Sequence, residues 1–361
     1  MPKTIKATLI LGNGMEFTGH SFGFEGPVAG EVVFNTAMTG YPESLTDPSY
    51  KGQILVSTFP LIGNYGVPGT GEENGIARGF ESDSIHISAL VISDYSGQYS
   101  HWNAEQSLGD WLKEHKVPAI TGIDTRQLTK VIREHGCMLG KIVVDGQECP
   151  WYDPNEDNLV ARVTTPEKQI YGNGRNRIML VDCGVKFNII RSLLEYDTTV
   201  IRVPYDYDFL SEEYDGLFIT NGPGDPAMCK PTIRNLEKAI GQDIPVFGIC
   251  LGSQLLGLAS GAPTYKLKYG HRSHNQPVIQ YGTNRCFITS QNHGFAVDQS
   301  KLKADWEVYF TNLNDGTCEG IRHREKPIFS TQFHPEASGG PTDTAFLFEH
   351  FMALINNRIP S

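Results

Sequence analysis

The sequence is poor in several features that would otherwise direct its reading. Basic residues are outnumbered, 30 Lys and Arg against 41 Asp and Glu for a net charge of −11, so a nucleic-acid partner has no electrostatic support. The seven cysteines (137, 149, 183, 229, 250, 286 and 318) form no C-x-x-C pair. That excludes a regular disulfide framework and predicts reduced thiols in a cytoplasmic protein. No glycine-rich stretch carries the Lys-Ser/Thr of a phosphate loop, and residues 66–75 read as surface turns. His271, His274 and His293 are too scattered to read as metal ligands, so no metal site is expected and these histidines fall to loop or supporting roles. The first ten residues, MPKTIKATLI, have only a short apolar run and no small-residue cleavage site, which speaks against a signal peptide. One uncharged run, 244–265, has the length of a membrane span. Pro245, Gln254, Pro263 and interspersed Gly and Ser make it a buried strand followed by a packed helix instead. There is no internal repeat and no low-complexity segment.

What is present suits two globular domains. The chain has 361 residues, of which 39% are hydrophobic and 20% charged. The first part, 1–150, reads as β-rich. Residues 5–11 and 15–19 flank Asn13-Gly14 and predict a hairpin with a type I′ turn. Further strands are expected over 31–35, 53–57 and 86–92. A helix is expected over 104–115, from Leu108, Trp111 and Leu112, and another over 125–135, capped by Asp124 and ended by Gly136. Residues 151–176, rich in Pro, Asn, Gly and charge, read as a linker. From 177 to 361 the rhythm becomes short apolar strands (178–181, 199–203, 216–220, 246–249, 328–333) alternating with helices (188–194, 232–240 and the segment after Cys250). That rhythm predicts a mostly parallel α/β sheet, whose ligands bind at the carboxyl ends of its strands.

The chemistry concentrates there. Gly248-Ile249-Cys250-Leu251-Gly252 places a cysteine at a sharp strand-to-helix turn, the thiol version of a nucleophile elbow. The flanking glycines leave room for the turn, and a helix N-terminus favours a thiolate. Such a nucleophile needs a base. In His334-Pro335-Glu336, positions i and i+2 of an extended segment share a side, so Glu336 can orient His334 while the other ring nitrogen faces the thiol. The backbone N–H of Leu251 and the Gly222-Pro223-Gly224 turn are candidate oxyanion donors.

GICLGSQ, NGPGDP and HPE, in this order over 177–357, resemble the class I glutamine amidotransferases. Residues 35–54 (NTAMTGYPESLTDPSYKGQI), 59–67 (FPLIGNYGV), 122–136 (GIDTRQLTKVIREHG) and 291–297 (QNHGFAV) resemble the small subunit of carbamoyl phosphate synthetase, so the likeness covers nearly the whole chain. It implies a β-rich, partner-binding first domain and an amidotransferase second domain that hydrolyses L-glutamine. Cys250 would attack, His334 would move protons and Glu336 would orient it. Ser49, Gly222, Gly224, Leu251, Gln254, Asn292, Gly294 and Phe295 would hold glutamine. On its own residues Ser49 reads only as a solvated turn. The ammonia would pass to a large synthetase subunit that uses ATP, Mg and bicarbonate to make carbamoyl phosphate for arginine and pyrimidine synthesis. No cofactor is expected in this chain. Ser253 departs from the histidine common in this family before the glutamine, which implies altered substrate packing or partner signalling. Two other readings stand beside this one, a free-standing cysteine hydrolase and a non-catalytic regulatory subunit. The whole first domain, with no second catalytic set and a family-like Asp124–Gly136 helix, speaks against the first, and the intact Cys250, His334 and Glu336 speak against the second.

Overall fold

The computed structural model describes residues 5–358. The opening tetrapeptide of the stretch read above as no signal peptide lies outside them, as do the last three residues of the second domain. The chain divides into two compact units, Met1–Asp157 and Asn158–Ser361. The division falls inside the segment expected to be a linker. Much of that segment is structured: Gln169–Tyr171 is an edge strand of the second unit's sheet, and Val160 belongs to that unit's core.

In the first unit, seven strands close into a barrel in the order Lys6–Leu11, Met138–Val144, Val28–Asn35, Gln53–Ser57, Ala89–Val91, Ala119–Thr121, Glu16–Ser21. Closure leaves no barrel edge unpaired. The hairpin is present, with Ile10 opposite Glu16, but its turn is not type I′. Gly14 alone has positive φ, 83°, and its N–H donates to Leu11 O while Leu11 N–H donates to Met15 O. That is a three-residue loop with glycine in the left-handed position. The helix expected over 104–115 is shorter. Residues Ala104–Gln106 are a strand, and the helix runs Leu108–Glu114 behind the Ser107 cap, whose side chain accepts from Asp110 N. The helix Thr125–His135 stands between Asp124 and Gly136 as the sequence predicts.

The second unit is built on one ten-stranded sheet. Five neighbouring strands run parallel: Thr198–Pro204, Asn176–Asp182, Gly216–Ile219, Val246–Ile249 and Ile328–Thr331. Antiparallel strands extend it, ending in the long pair Thr264–Gln280 and Cys286–Val297. Two strands buried along their whole length, Gly216–Ile219 and Val246–Ile249, lie at the centre. Phe218 and Phe247 pack edge to face at 5.0 Å, and Phe351 of the helix Phe346–Asn356 closes on both. Burying each such ring contributes about 1.5–3 kcal/mol. This packing fixes the carboxyl ends of the central strands, where the site lies. Among the described residues no helix is long and apolar enough to cross a membrane.

Candidate active site

Strand Val246–Ile249 ends at Cys250, and helix Leu251–Ser260 starts on the next residue. Cys250 sits at φ 54°, ψ −103°, a conformation a side-chain-bearing residue enters only when its surroundings impose it. The flanking glycines show how. A Cβ on Gly252 would lie 2.3 Å from Ile219 O, and one on Gly248 would lie 2.7 Å from Gly252 O. The helix start can therefore press against the neighbouring strand only if both positions lack a side chain. As the first helical residue, Leu251 has a backbone N–H without an intrahelical acceptor. Leu251 Cδ2 lies 2.7 Å from where a Cβ on Gly222 would stand, so the two candidate oxyanion elements are neighbours. Gly224 has φ 83° and packs near Leu159.

His334 follows strand Ile328–Thr331, which ends two residues before the expected limit. Its N–H donates to Ser290 O at 2.9 Å, tying it to the strand that carries Asn292. The His334–Glu336 pairing forms across a turn rather than along an extended strand: Nδ1 lies 2.7 Å from Glu336 Oε1. That bond leaves Nε2 buried and without a hydrogen-bond partner. Burial is the largest influence and opposes the imidazolium, as does Lys186, but the Glu336 carboxylate and Cys250 together outweigh them, and the His334 pKa is raised. Burial likewise opposes ionisation of Glu336, yet Lys186 and His334 together hold its carboxyl below the usual range.

Lys186 is a partner the sequence did not reveal. Its Nζ lies 3.0 Å from the same Glu336 oxygen, with both side chains buried. Asn188 Nδ2 also donates to the Glu336 backbone carbonyl. A lysine at the mouth of an apolar helix looks like a solvated residue, and a separation of 150 positions from Glu336 offers no local signal.

The residues assigned to glutamine gather partly around the thiol. Cys250 Sγ faces Asn292 O at 3.7 Å. Gln254 Nε2 donates to Phe295 O at 3.0 Å and to Gln332 Oε1 at 3.2 Å. Asn292, Gly294 and Phe295 are half-buried on one strand. Ser253 is buried with its Oγ 2.8 Å from Ser330 Oγ, so its contact is with the core strand. Ser49 belongs to the first unit. Far from solvated, it is 8% exposed in the turn Pro48–Tyr50, where its N–H donates to Asp47 Oδ1.

The histidines are less scattered than their sequence positions suggested. Antiparallel pairing sets His271 opposite His293, their rings edge to face at 4.9 Å. With Glu319 they form a buried cluster whose candidate ligand atoms all lie within 4.8 Å. Hydrogen bonds run through it: Asn312 Nδ2 donates to Glu319 Oε1 at 2.9 Å, while the two nitrogens of His271 lie against Glu319 and Asp315. His293 ties the cluster to the strand that also carries Asn292 and Phe295, and Glu319 Oε2 is buried there without a hydrogen-bond partner. His274 is pushed down to about 4 by burial and by the charges of Lys186 and His334.

Similarity to known proteins agrees with this geometry. The family model for carbamoyl-phosphate synthase small chain, CPSase domain, matches residues 9–142, and that for glutamine amidotransferase class-I matches 179–354. The arginine-specific small chain of carbamoyl phosphate synthase from Saccharomyces cerevisiae is 52% identical over 96% of this chain and 88% of its own length. The chain belongs to the carbamoyl-phosphate synthase small-chain family. It is also 56% identical to part of the multifunctional protein CAD of Squalus acanthias and 49% identical to part of the mitochondrial carbamoyl-phosphate synthase [ammonia] of Homo sapiens. It covers 96% and 98% of itself in those matches but only 16% and 24% of those longer proteins. Membership rests on both units, since each family model falls within one of them.

Proposed function

We propose that this chain is the glutaminase subunit of a carbamoyl phosphate synthetase. Cys250 is the nucleophile, His334 the base and acid, and Glu336 the residue that fixes the imidazole. The observation that carries this reading is the buried His334 ring, with Nδ1 bonded to Glu336 and Nε2 left for the thiol. In the first half-reaction, Nε2 takes the thiol proton as sulfur attacks the amide carbon of glutamine. The resulting oxyanion is received by the N–H of Leu251 and the Gly222–Gly224 turn, where losing one donor typically costs about 100- to 1,000-fold in rate. His334 then returns the proton to the departing nitrogen, and ammonia leaves a glutamyl thioester. In the second half, His334 takes a proton from water, hydroxide displaces the thioester sulfur, and glutamate and the thiol are restored. Gln254, Asn292, Gly294 and Phe295 border the substrate, and Ser49 is assigned to it through the family.

Ammonia then serves a large synthetase subunit, where ATP, Mg and bicarbonate are used. In this reading the chain itself holds no cofactor, binds no nucleic acid or membrane, and works in the cytoplasm, consistent with its free cysteines. The yeast relative is named for arginine and CAD as a multifunctional protein, so both arginine and pyrimidine synthesis are compatible destinations. One relative is named for ammonia, which keeps a non-catalytic subunit as the second reading. The intact triad favours the first.

The test is glutamate release from L-glutamine, with and without the cognate large subunit and ATP, beside Cys250→Ser. Release that rises with the partner and vanishes in the serine variant supports the reading. No release in either setting removes it in favour of a regulatory subunit, and turnover of peptides instead of glutamine points to another cysteine hydrolase.

A further inference from the structure

The hydrogen bonds around His271, His293 and Glu319 do not close on themselves. Their directions can be traced from backbone carbonyls, which only accept. The Thr289 hydroxyl donates to Gln276 O at 2.8 Å, so Gln291 Nε2 must be the donor to Thr289 Oγ1 at 3.1 Å. That turns Gln291 Oε1 toward His293 Nε2, 3.2 Å away. On the far side of the ring, Nδ1 lies 2.9 Å from Phe295 O and must carry the proton. In the neutral ring Nε2 is then a lone pair facing an amide oxygen, with Glu319 Oε1 at 3.9 Å. His271 repeats the pattern. Its Nε2 lies 2.8 Å from Asp315 Oδ2 as a donor, and its Nδ1 faces Glu319 Oε1 at 3.3 Å. The nearest other donor, Asn312 Nδ2, reaches that Nδ1 only at 3.5 Å, beyond the usual range. Glu319 is fully buried, and its Oε2 has no partner.

One proton cannot settle this arrangement. Placed on His293 it leaves His271 Nδ1 against a carboxylate oxygen; placed on His271 or Glu319 it leaves His293 Nε2 against Gln291. A divalent cation settles every lone pair at once. The ring nitrogen of each histidine that points away from the centre is held by an acceptor, Phe295 O or Asp315, which is how an outer partner orients a metal-binding imidazole. The ligand atoms all lie within 4.8 Å of one another. The 3.3 Å between His271 Nδ1 and Glu319 is the separation of two ligands in a tetrahedral Zn(II) site with bonds of about 2.0–2.1 Å. Two imidazoles and a carboxylate, with Gln291 Oε1 as a fourth oxygen, make a donor set that Zn(II) accepts. Asp315, whose side chain is 44% exposed, connects the cluster to solvent and gives an ion a way in.

We propose that His271, His293 and Glu319 bind a divalent transition-metal ion, with Zn(II) the best match to the donors. The ion joins three strands, Thr264–Gln280, Cys286–Val297 and Cys318–His323, and so fixes the strand that carries Asn292 and Phe295. It is a structural ion and not a cofactor of the amide chemistry, and the inference stands without the glutaminase reading.

The experiment uses the full chain carrying Cys250→Ser, so that the catalytic thiol does not compete for metal. The protein is stripped with a chelator and titrated with Zn(II) or Co(II). A single Zn(II) should bind per chain and raise the melting temperature, as a ligand of the native state does. Co(II) should give the visible bands of a four-coordinate site with no thiolate charge-transfer band. Asp315→Asn, at a half-exposed position, should weaken Zn(II) binding about 10- to 100-fold, the usual loss when an outer partner of a ligand is removed. Glu319→Gln should weaken it at least as much. His274→Asn, on the same strand as His271 but outside the cluster, should bind as tightly as the parent. A parent that takes up no Zn(II) overturns the proposal. So does a thiolate band, unchanged affinity in Glu319→Gln, or an equal loss in His274→Asn. If Glu319→Gln fails to fold, Asp315→Asn and the Co(II) spectrum decide. None of these readouts uses glutamine, so the failure of this inference and that of the glutaminase reading are separate results.

Discussion

Lys186 and His334 share one oxygen of Glu336, at 3.0 and 2.7 Å. Lys186 helps keep the carboxylate ionised but opposes the imidazolium, while Glu336 favours it. Lys186→Met should therefore raise the His334 pKa further and move the acid limb of the glutamate-release profile, where this base becomes protonated, to higher pH; an unmoved limb would show that the lysine acts only on packing. Because Glu336 keeps His334, the stability cost should sit near the lower end of the about 3–5 kcal/mol typical of a broken buried pair. The pair also sets a pH window. Glu336, with its pKa held down, stabilises the fold above the ordinary carboxylate value of about 4.3 and loses that contribution as pH falls through its lower folded value. His334, with its pKa raised, stabilises below about 6.5 and loses that contribution as pH rises through its higher folded value. The melting temperature of wild type minus that of Glu336→Gln should be largest between these limits and shrink on both sides. A flat difference across pH would mean that the charges do not couple to folding.

At the scale of the element, the turn at Cys250 couples stability to chemistry. A methyl on Gly252 meets Ile219 O, which cannot swing aside as a side-chain tip could. Gly252→Ala should cost about 1–3 kcal/mol, as overpacking does, and should lower kcat more than that loss explains, because Leu251 N–H and Cys250 move with the helix start. The contrasting change is Asp124→Ala, which removes a 2.8 Å cap on the helix Thr125–His135. It should cost about 1 kcal/mol with kcat unchanged, and chemical denaturation beside steady-state kinetics separates the two. The contrast also shows which elements can be read without a structure. The Cys250 turn and the Asp124 cap are local devices, complete within a few residues, and both were legible. The misread helix start at 104 has a local cause too: Leu108, Trp111 and Leu112 set the helical period only from 108, and Ser107 was the cap. His271 beside His293 and Lys186 on Glu336 depend on which strands pair or which loops meet, and no short window holds that information.

At the scale of the molecule, each unit has its own core. The first gathers Val33, Leu45, Tyr50, Leu55, Leu90 and Trp111, and the second gathers Met179, Val181, Leu217, Ile219, Leu255 and Ile321. The barrel closes within the first and the ten-stranded sheet lies within the second, so neither borrows a strand. Units with private cores and complete sheets fold alone in general. Residues 158–361 expressed separately should therefore unfold in one cooperative transition. A broad, non-cooperative melt would show that the second unit needs the first to fold. Cys250, His334, Glu336 and Lys186 all travel with that fragment, and Ser49 does not. If the fragment folds and its thiol still reacts with a glutamine-like electrophile at a rate dependent on Cys250 but at lower affinity, the catalytic set is self-sufficient and the first unit contributes to substrate binding. Full affinity in the fragment would count against the proposed assignment of Ser49 to glutamine.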